Sequence, residues 1–189
     1  MVALTPSQTV GPFFQDCLLR ESWNVLVGPE TKGERIRIEG NVFDGDREPV
    51  WDAVIEIWQA DAEGRYRQAA DEPQGAASAT FTGFGRAGTD EAGSFWFETI
   101  KPGEVAWTPD SFQAPHVNVH VFARGLLDHL RTRLYFEDEP ANNDDPLLQL
   151  VGPDRSPTLI GKRSIRDGNV VYRFDIVLQG AGETVFFEV

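Results

Sequence analysis

The sequence holds one cysteine, one methionine and three histidines in 189 residues. Cys17 alone cannot close an internal disulfide, and a reducing, cytoplasmic setting is the simplest expectation. Paired-cysteine metal motifs are excluded with it, as are HExxH and a glycine-rich phosphate loop opening a helix. A thiol nucleophile at Cys17 would need local support that its neighbours do not offer. Basic residues are scarce: 17 Lys and Arg stand against 30 Asp and Glu, a net charge of −13. That balance disfavours nucleic acid and anionic membranes as partners, but leaves room for a local basic pocket and an anionic small molecule. No run approaches the ~20 apolar residues of a membrane span. Met1 to Phe14 has neither the basic nor the apolar region of a signal peptide. Repeats and low-complexity tracts are absent.

What remains is an ordinary globular composition, 41% hydrophobic, on a chain long enough for one well-filled core. Residues 1–33 are expected to form an irregular N-terminal arm, because Pro6, Gly11, Pro12, Gly28 and Pro29 interrupt any regular element. Residues 34–189 are expected to form one mainly β domain, an antiparallel β-sandwich with long loops. Strand patterns occur at 35–39, 54–58, 95–97, 117–122, 133–136, 170–178 and 184–187, about seven or eight strands in all. One or two short helices are expected. Asp145-Pro146 supplies a cap and first position for 147–151, and Ser156-Pro157 does so for 158–162. Arg67 to Gly85, rich in Ala, Gly, Gln and Ser, is expected to be a long surface loop. The five tryptophans are expected in core and interface packing. The acidic run Glu137 to Asp145 is expected to be a solvated loop, with calcium binding as a minor alternative.

The strand around His116 carries the densest chemistry. Period-two alternation puts His116, Asn118 and His120 on one face and Val117 and Val119 on the other. Two imidazoles flanking an amide resemble a metal site with its middle ligand replaced. His116 and His120 lie ~13 Å apart along such a strand, too far for both to bind one ion at ~2.1 Å. Residue 118 is close enough to share an ion with His116, but asparagine is a poor ligand for iron or zinc. A hydrogen-bonded structural role for His116 is the competing reading. Arg124, between the apolar strand and Gly125, is either a surface charge or a guanidinium that orients a carboxylate or a partner loop.

Several motifs, in order, carry a resemblance over nearly the whole chain. They are Thr5-Pro-Ser-Gln-Thr-Val-Gly-Pro12, Ile57-Trp-Gln-Ala-Asp-Ala-Glu-Gly-Arg-Tyr66, Gly85-Arg-Ala-Gly-Thr-Asp90 and Thr99-Ile-Lys-Pro-Gly103. Ala114-Pro-His-Val-Asn-Val119, Arg133-Leu-Tyr-Phe136 and Tyr172-Arg-Phe-Asp175 follow. Together they resemble the intradiol ring-cleaving dioxygenases. The opening, and the ending Gln179-Gly-Ala-Gly-Glu-Thr-Val-Phe-Phe187, are similar to the α subunits of the protocatechuate-cleaving members. The resemblance implies a non-haem ferric ion, Fe(III), held in that family by two tyrosines and two histidines. Matched residue by residue, Tyr66 and His116 keep two of the four positions. Val105 and Asn118 stand at the other two, and Gln113 stands where catalytic subunits carry an arginine. The resemblance thus implies no metal ligand set and no catalytic group on this chain alone. Iron would sit in a homologous β subunit of an αβ hetero-oligomer, with protocatechuate and O2 as substrates. This chain would lend Thr9, Gly11, Pro12 and Arg124 to a substrate pocket at the subunit interface. Two other readings stay open at this point: a non-catalytic β-sandwich binding module derived from such an enzyme, and a self-sufficient metalloenzyme using Tyr66, His116 and His120 with other ligands.

Overall fold

The computed structural model describes residues 5–11, 13–67 and 81–188. Eleven strands dominate the described residues: β1 (Arg35–Phe43), β2 (Val54–Gln59), β3 (Phe84–Gly88), β4 (Ser94–Ile100), β5 (Val105–Thr108), β6 (Ser111–Gln113), β7 (His116–Phe122), β8 (Leu130–Phe136), β9 (Ile160–Arg166), β10 (Asn169–Arg173) and β11 (Ile176–Val177). Two short helices, α1 (Phe14–Leu18) and α2 (Pro146–Val151), and two 3-10 turns at Pro140–Asp144 and Ser156–Leu159 complete the set. Among these residues no helix is long and apolar enough to cross a membrane.

Nine strands join in the order β11-β1-β10-β9-β8-β7-β2-β3, with β4 on β1, while β5 and β6 form a separate hairpin. The sheet curls so that alternate residues of its strands meet inside. Ile36, Ile38 and Val42 of β1, Ile55 and Ile57 of β2, Phe95 and Phe97 of β4, and Val117, Val119 and Val121 of β7 share one core. That alternation is what the sequence pattern requires of a half-buried sheet. Most pairs are antiparallel, as expected, but β1–β10, β1–β11 and β8–β9 run parallel.

The arm supplies the closure. Trp23 O accepts from Arg86 N on β3, Asn24 O accepts from Glu98 N on β4, and Leu26 N donates back to Glu98 O. Residues 23–26 thereby satisfy strand groups on β3 and β4 that would otherwise be open edges. Gly85 makes this possible: a Cβ there would lie 2.5 Å from Leu26 Cδ1 and 3.1 Å from Trp23 O. Strand glycines often mark such close backbone approach. The other described residues of the arm are irregular, as expected, except for α1.

Several expectations need correction. Residues 184–187 are not a strand. Thr184 N bonds to Val177 O and Phe187 N to Arg131 O, so the segment bridges two strands and forms a ladder with neither. The helix expected over 158–162 is only the turn Ser156–Leu159, after which Ile160 begins β9 against Tyr135. Here long-range pairing overrides the local cap. The expected loop Arg67 to Gly85 ends inside β3, and residues 68–80 of it lie outside the described residues. Strands β3, β5, β6 and β9 were not legible as strands. The tryptophans are not core residues: Trp51, Trp58 and Trp107 are exposed, and Trp23 and Trp96 are half-buried. By contrast α2 forms as expected, with Asp145 accepting from Leu147 N and Leu148 N and Pro146 opening the helix.

Candidate functional site

Strand β7 and the turn after it carry two sites, one at each end. At its start, His116 is buried and holds a fixed tautomer. Its Nδ1 donates to Ala114 O at 2.8 Å, which leaves Nε2 to accept from the Tyr66 hydroxyl at 3.2 Å. Tyr66 comes from the turn after β2 and stacks parallel to Trp58, with ring centroids 6.2 Å apart. Asn118 Nδ2 donates to the same hydroxyl at 2.8 Å. Burial, followed by the nearby Arg133 guanidinium, pushes His116 down to about 4. Burial pushes the Tyr66 phenol above its ordinary value, partly offset by Asn118 and Arg133. The pair is therefore a neutral imidazole and a neutral phenol near pH 7.

Arg133 on β8 stands opposite Asn118 in the β7–β8 register. Its Nε donates to Asn118 Oδ1 at 3.0 Å, and its Nη1 donates to Gln113 Oε1 at 2.6 Å and to the Tyr135 hydroxyl at 3.4 Å. Tyr135 donates in turn to Asp145 Oδ1 at 3.1 Å. Asp145 is fully buried and also accepts from Ala114 N, Leu147 N and Leu148 N, each at 2.9 Å. The acidic run is thus not wholly a solvated loop: its last carboxylate anchors the strand entering His116. Val105, buried on β5, pairs with Gln113 across the hairpin.

These residues do not fit a ferric ion. Valine offers no donor atom. The Asn118 oxygen and the Gln113 oxygen are both engaged by a guanidinium, and that cation would repel a metal ion placed beside it. The Tyr66–His116–His120 alternative also fails: His120 lies against His129, with ring centroids 5.1 Å apart, and opposite Glu56 and Arg131 in the sheet. Among the described residues, no three or more His, Cys, Asp or Glu side chains gather as a metal site, in the acidic run or elsewhere. Arg133 and Asp145 were missed as members of this network. The Arg133-Leu-Tyr-Phe136 strand offered a signal, since its period places Arg133 and Tyr135 on one face.

The second site lies at the other end of β7. Arg124 makes an ion pair through Nε with Asp52 and lies over the Trp51 ring, 5.0 Å from its centroid. The next residue, Gly125, donates its N–H to Thr9 Oγ1 at 2.7 Å. So Thr9 and Arg124, distant in sequence, share one corner. Gly11 O accepts from Phe14 N at 3.1 Å as the arm turns into α1, and a Cβ on Gly11 would meet none of the described residues within 4 Å. Pro12 lies outside the described residues. The ring of Phe14 then packs on Phe122, centroids 5.6 Å apart, and Gln15 Nε2 donates to Thr89 O at 3.0 Å. The first site and this corner involve different residues and are joined by β7.

A sequence model of a family described as Dioxygenase matches residues 13–180. The chain is 44% identical to the protocatechuate 3,4-dioxygenase alpha chain of Pseudomonas putida, over 97% of this chain and 96% of that one. The chain belongs to the intradiol dioxygenase family. It is also 33% identical to the protocatechuate 3,4-dioxygenase beta chain of Burkholderia cepacia, over 94% of this chain and 77% of that one. Among solved structures it is similar to the dioxygenase domain of a dioxygenase carbohydrate-binding protein fusion from Streptomyces sp. SirexAA-E. That match has TM-score 0.63 and 28% identity, over 94% of this chain and 99% of that domain. Intradiol dioxygenases are iron-dependent, so the misfit between this site and a ferric ion is a property to be explained.

Proposed function

We propose that this chain is the iron-free α subunit of a protocatechuate 3,4-dioxygenase. In this reading a homologous β subunit binds Fe(III). The αβ hetero-oligomer, in the cytoplasm, converts protocatechuate and O2 to 3-carboxy-cis,cis-muconate. The observation that carries it is the replacement at the first site. Val105 and Asn118 stand at two family ligand positions, and Arg133 ties Asn118 to Gln113 where an intradiol dioxygenase would need open donor atoms. The full-length likeness to an α chain, beside a weaker likeness to a β chain, supports a subunit role.

The arm, residues 1–33, and the domain, residues 34–189, divide the work. The domain supplies a stable scaffold, and the arm carries Thr9, Gly11 and Pro12 to the partner's pocket. Gly11 supports this: none of the described residues crowds its Cβ position, which leaves space for a ligand or partner. Arg124, half-exposed at the same corner and paired with Asp52, presents its remaining guanidinium N–H groups to an anionic substrate.

Co-expression with a homologous β chain tests the proposal. The complex is expected to consume O2 with protocatechuate, and this chain alone is expected to be inactive. Full activity of the β chain without this chain would overturn it.

A further inference from the structure

We infer that Asp52, assisted by Trp51, positions Arg124 for selection of a carboxylate-bearing catechol. This rests on the reading of Arg124 as part of the partner's pocket.

Continuing the β2–β7 register past Val54–Phe122 sets Asp52 opposite Arg124 on the outward face. The two side chains then meet as a cross-strand ion pair. They are unequally exposed: 11% for Asp52 and 46% for Arg124. The carboxylate is therefore the packed, fixed member, and the guanidinium is the presented one.

The supports on both sides are rigid. Ala53, fully buried, donates its N–H to Thr89 Oγ1 at 2.9 Å and accepts from Thr89 N at 3.0 Å. Ala123, before Arg124, is buried as well. Trp51 then covers the guanidinium face. An arginine on its own stem samples many rotamers, and holding it in one lowers the ordering cost of each later contact. The same corner ties down the arm through Gly125 and Thr9. One small device thus fixes both a charge and the segment bearing Gly11.

Asp52 does not need to touch substrate. It acts through Arg124, which makes it a positioning residue. Its loss should raise KM for a substrate with a carboxylate and leave kcat nearly unchanged. Plain catechol, which lacks that group, should respond little.

The experiment uses the co-expressed αβ complex with Asp52→Ala, Arg124→Ala and the double variant, assayed with protocatechuate and catechol. Asp52→Asn provides a second variant that keeps the side-chain shape. Arg124→Ala is expected to raise KM for protocatechuate about tenfold or more, and Asp52→Ala about three- to tenfold. The double variant is expected to match Arg124→Ala, because Asp52 has nothing left to position. Wild-type kinetics for both Asp52 variants, beside an impaired Arg124→Ala, would overturn the inference and leave the pocket reading standing. Effects that add in the double variant, or equal losses with both substrates, would overturn it too. Wild-type kinetics for Arg124→Ala would overturn the pocket reading itself.

Discussion

Asp145 is the residue on which the first site depends most. Its carboxylate accepts four hydrogen bonds while fully buried, from Ala114 N, Leu147 N, Leu148 N and the Tyr135 hydroxyl. Asp145→Ala leaves those donors unpaired and should cost several kcal/mol, about 1–3 kcal/mol for each donor that finds no new partner. Urea unfolding of the variant measures this, and a loss under about 1 kcal/mol would show that water replaces the carboxylate. The sequence showed Asp145 as a helix cap but not its reach to Ala114, since that contact joins residues 31 apart. His116 sets a pH dependence. Its folded-state value near 4 lies below the ordinary 6.5, so the unfolded chain binds the extra proton first. Stability from this group is complete above pH 6.5 and falls as pH drops toward 4, by roughly 3 kcal/mol in all. His116→Gln should flatten that part of the curve relative to wild type; an unchanged slope would contradict the assignment. Both tyrosine and histidine of the first site were legible from the motifs. The guanidinium between them and Gln113 was not, because nothing in a single strand reveals what faces it across the sheet.

Strand β3 shows why parts of the fold stayed hidden. Gly85 and Gly88 are poor strand formers, and they followed an Ala- and Gly-rich stretch with no periodicity. Their lack of side chains serves the arm, which crosses at Leu26 and at Gln15 and Leu19. Strongly alternating strands, β1, β2 and β7, were plain in the sequence because one face of each enters the core. Strand β9 was not, since six of its residues from Gly161 onward include only one buried position. The arm divides into two parts with different consequences. Deleting residues 1–12 removes Thr9 and its bond to Gly125 but leaves α1 and the edge contacts of 23–26 in place. The truncated chain should fold with a thermal midpoint close to wild type, while turnover of the αβ complex falls. Deleting residues 1–26 opens the β3 and β4 edges and should cause aggregation on expression. Wild-type efficiency from the shorter deletion would remove Thr9, Gly11 and Pro12 from the pocket. A soluble monomer from the longer one would show that the edges need no cover.

On the scale of the whole molecule, the exposed aromatic side chains match a subunit more closely than a free-standing domain. Phe13 is 72% exposed, Trp107 61% and Phe112 55%. Phe186 and Phe187 are half-buried against the two cores. A homologous partner would cover ~2,000 Å² or more if the association is obligate. The chain alone should therefore self-associate at micromolar concentration, and the partner should convert it to a defined complex in size-exclusion chromatography. The central claim concerns where the iron resides. The direct measurement is iron content and visible absorption of this chain purified alone, beside the same chain co-expressed with its β partner. The account expects no stoichiometric iron and no colour from the chain alone, and about one iron per αβ pair with a ferric–tyrosinate band from the complex. One iron per chain with that band from the isolated chain would contradict it.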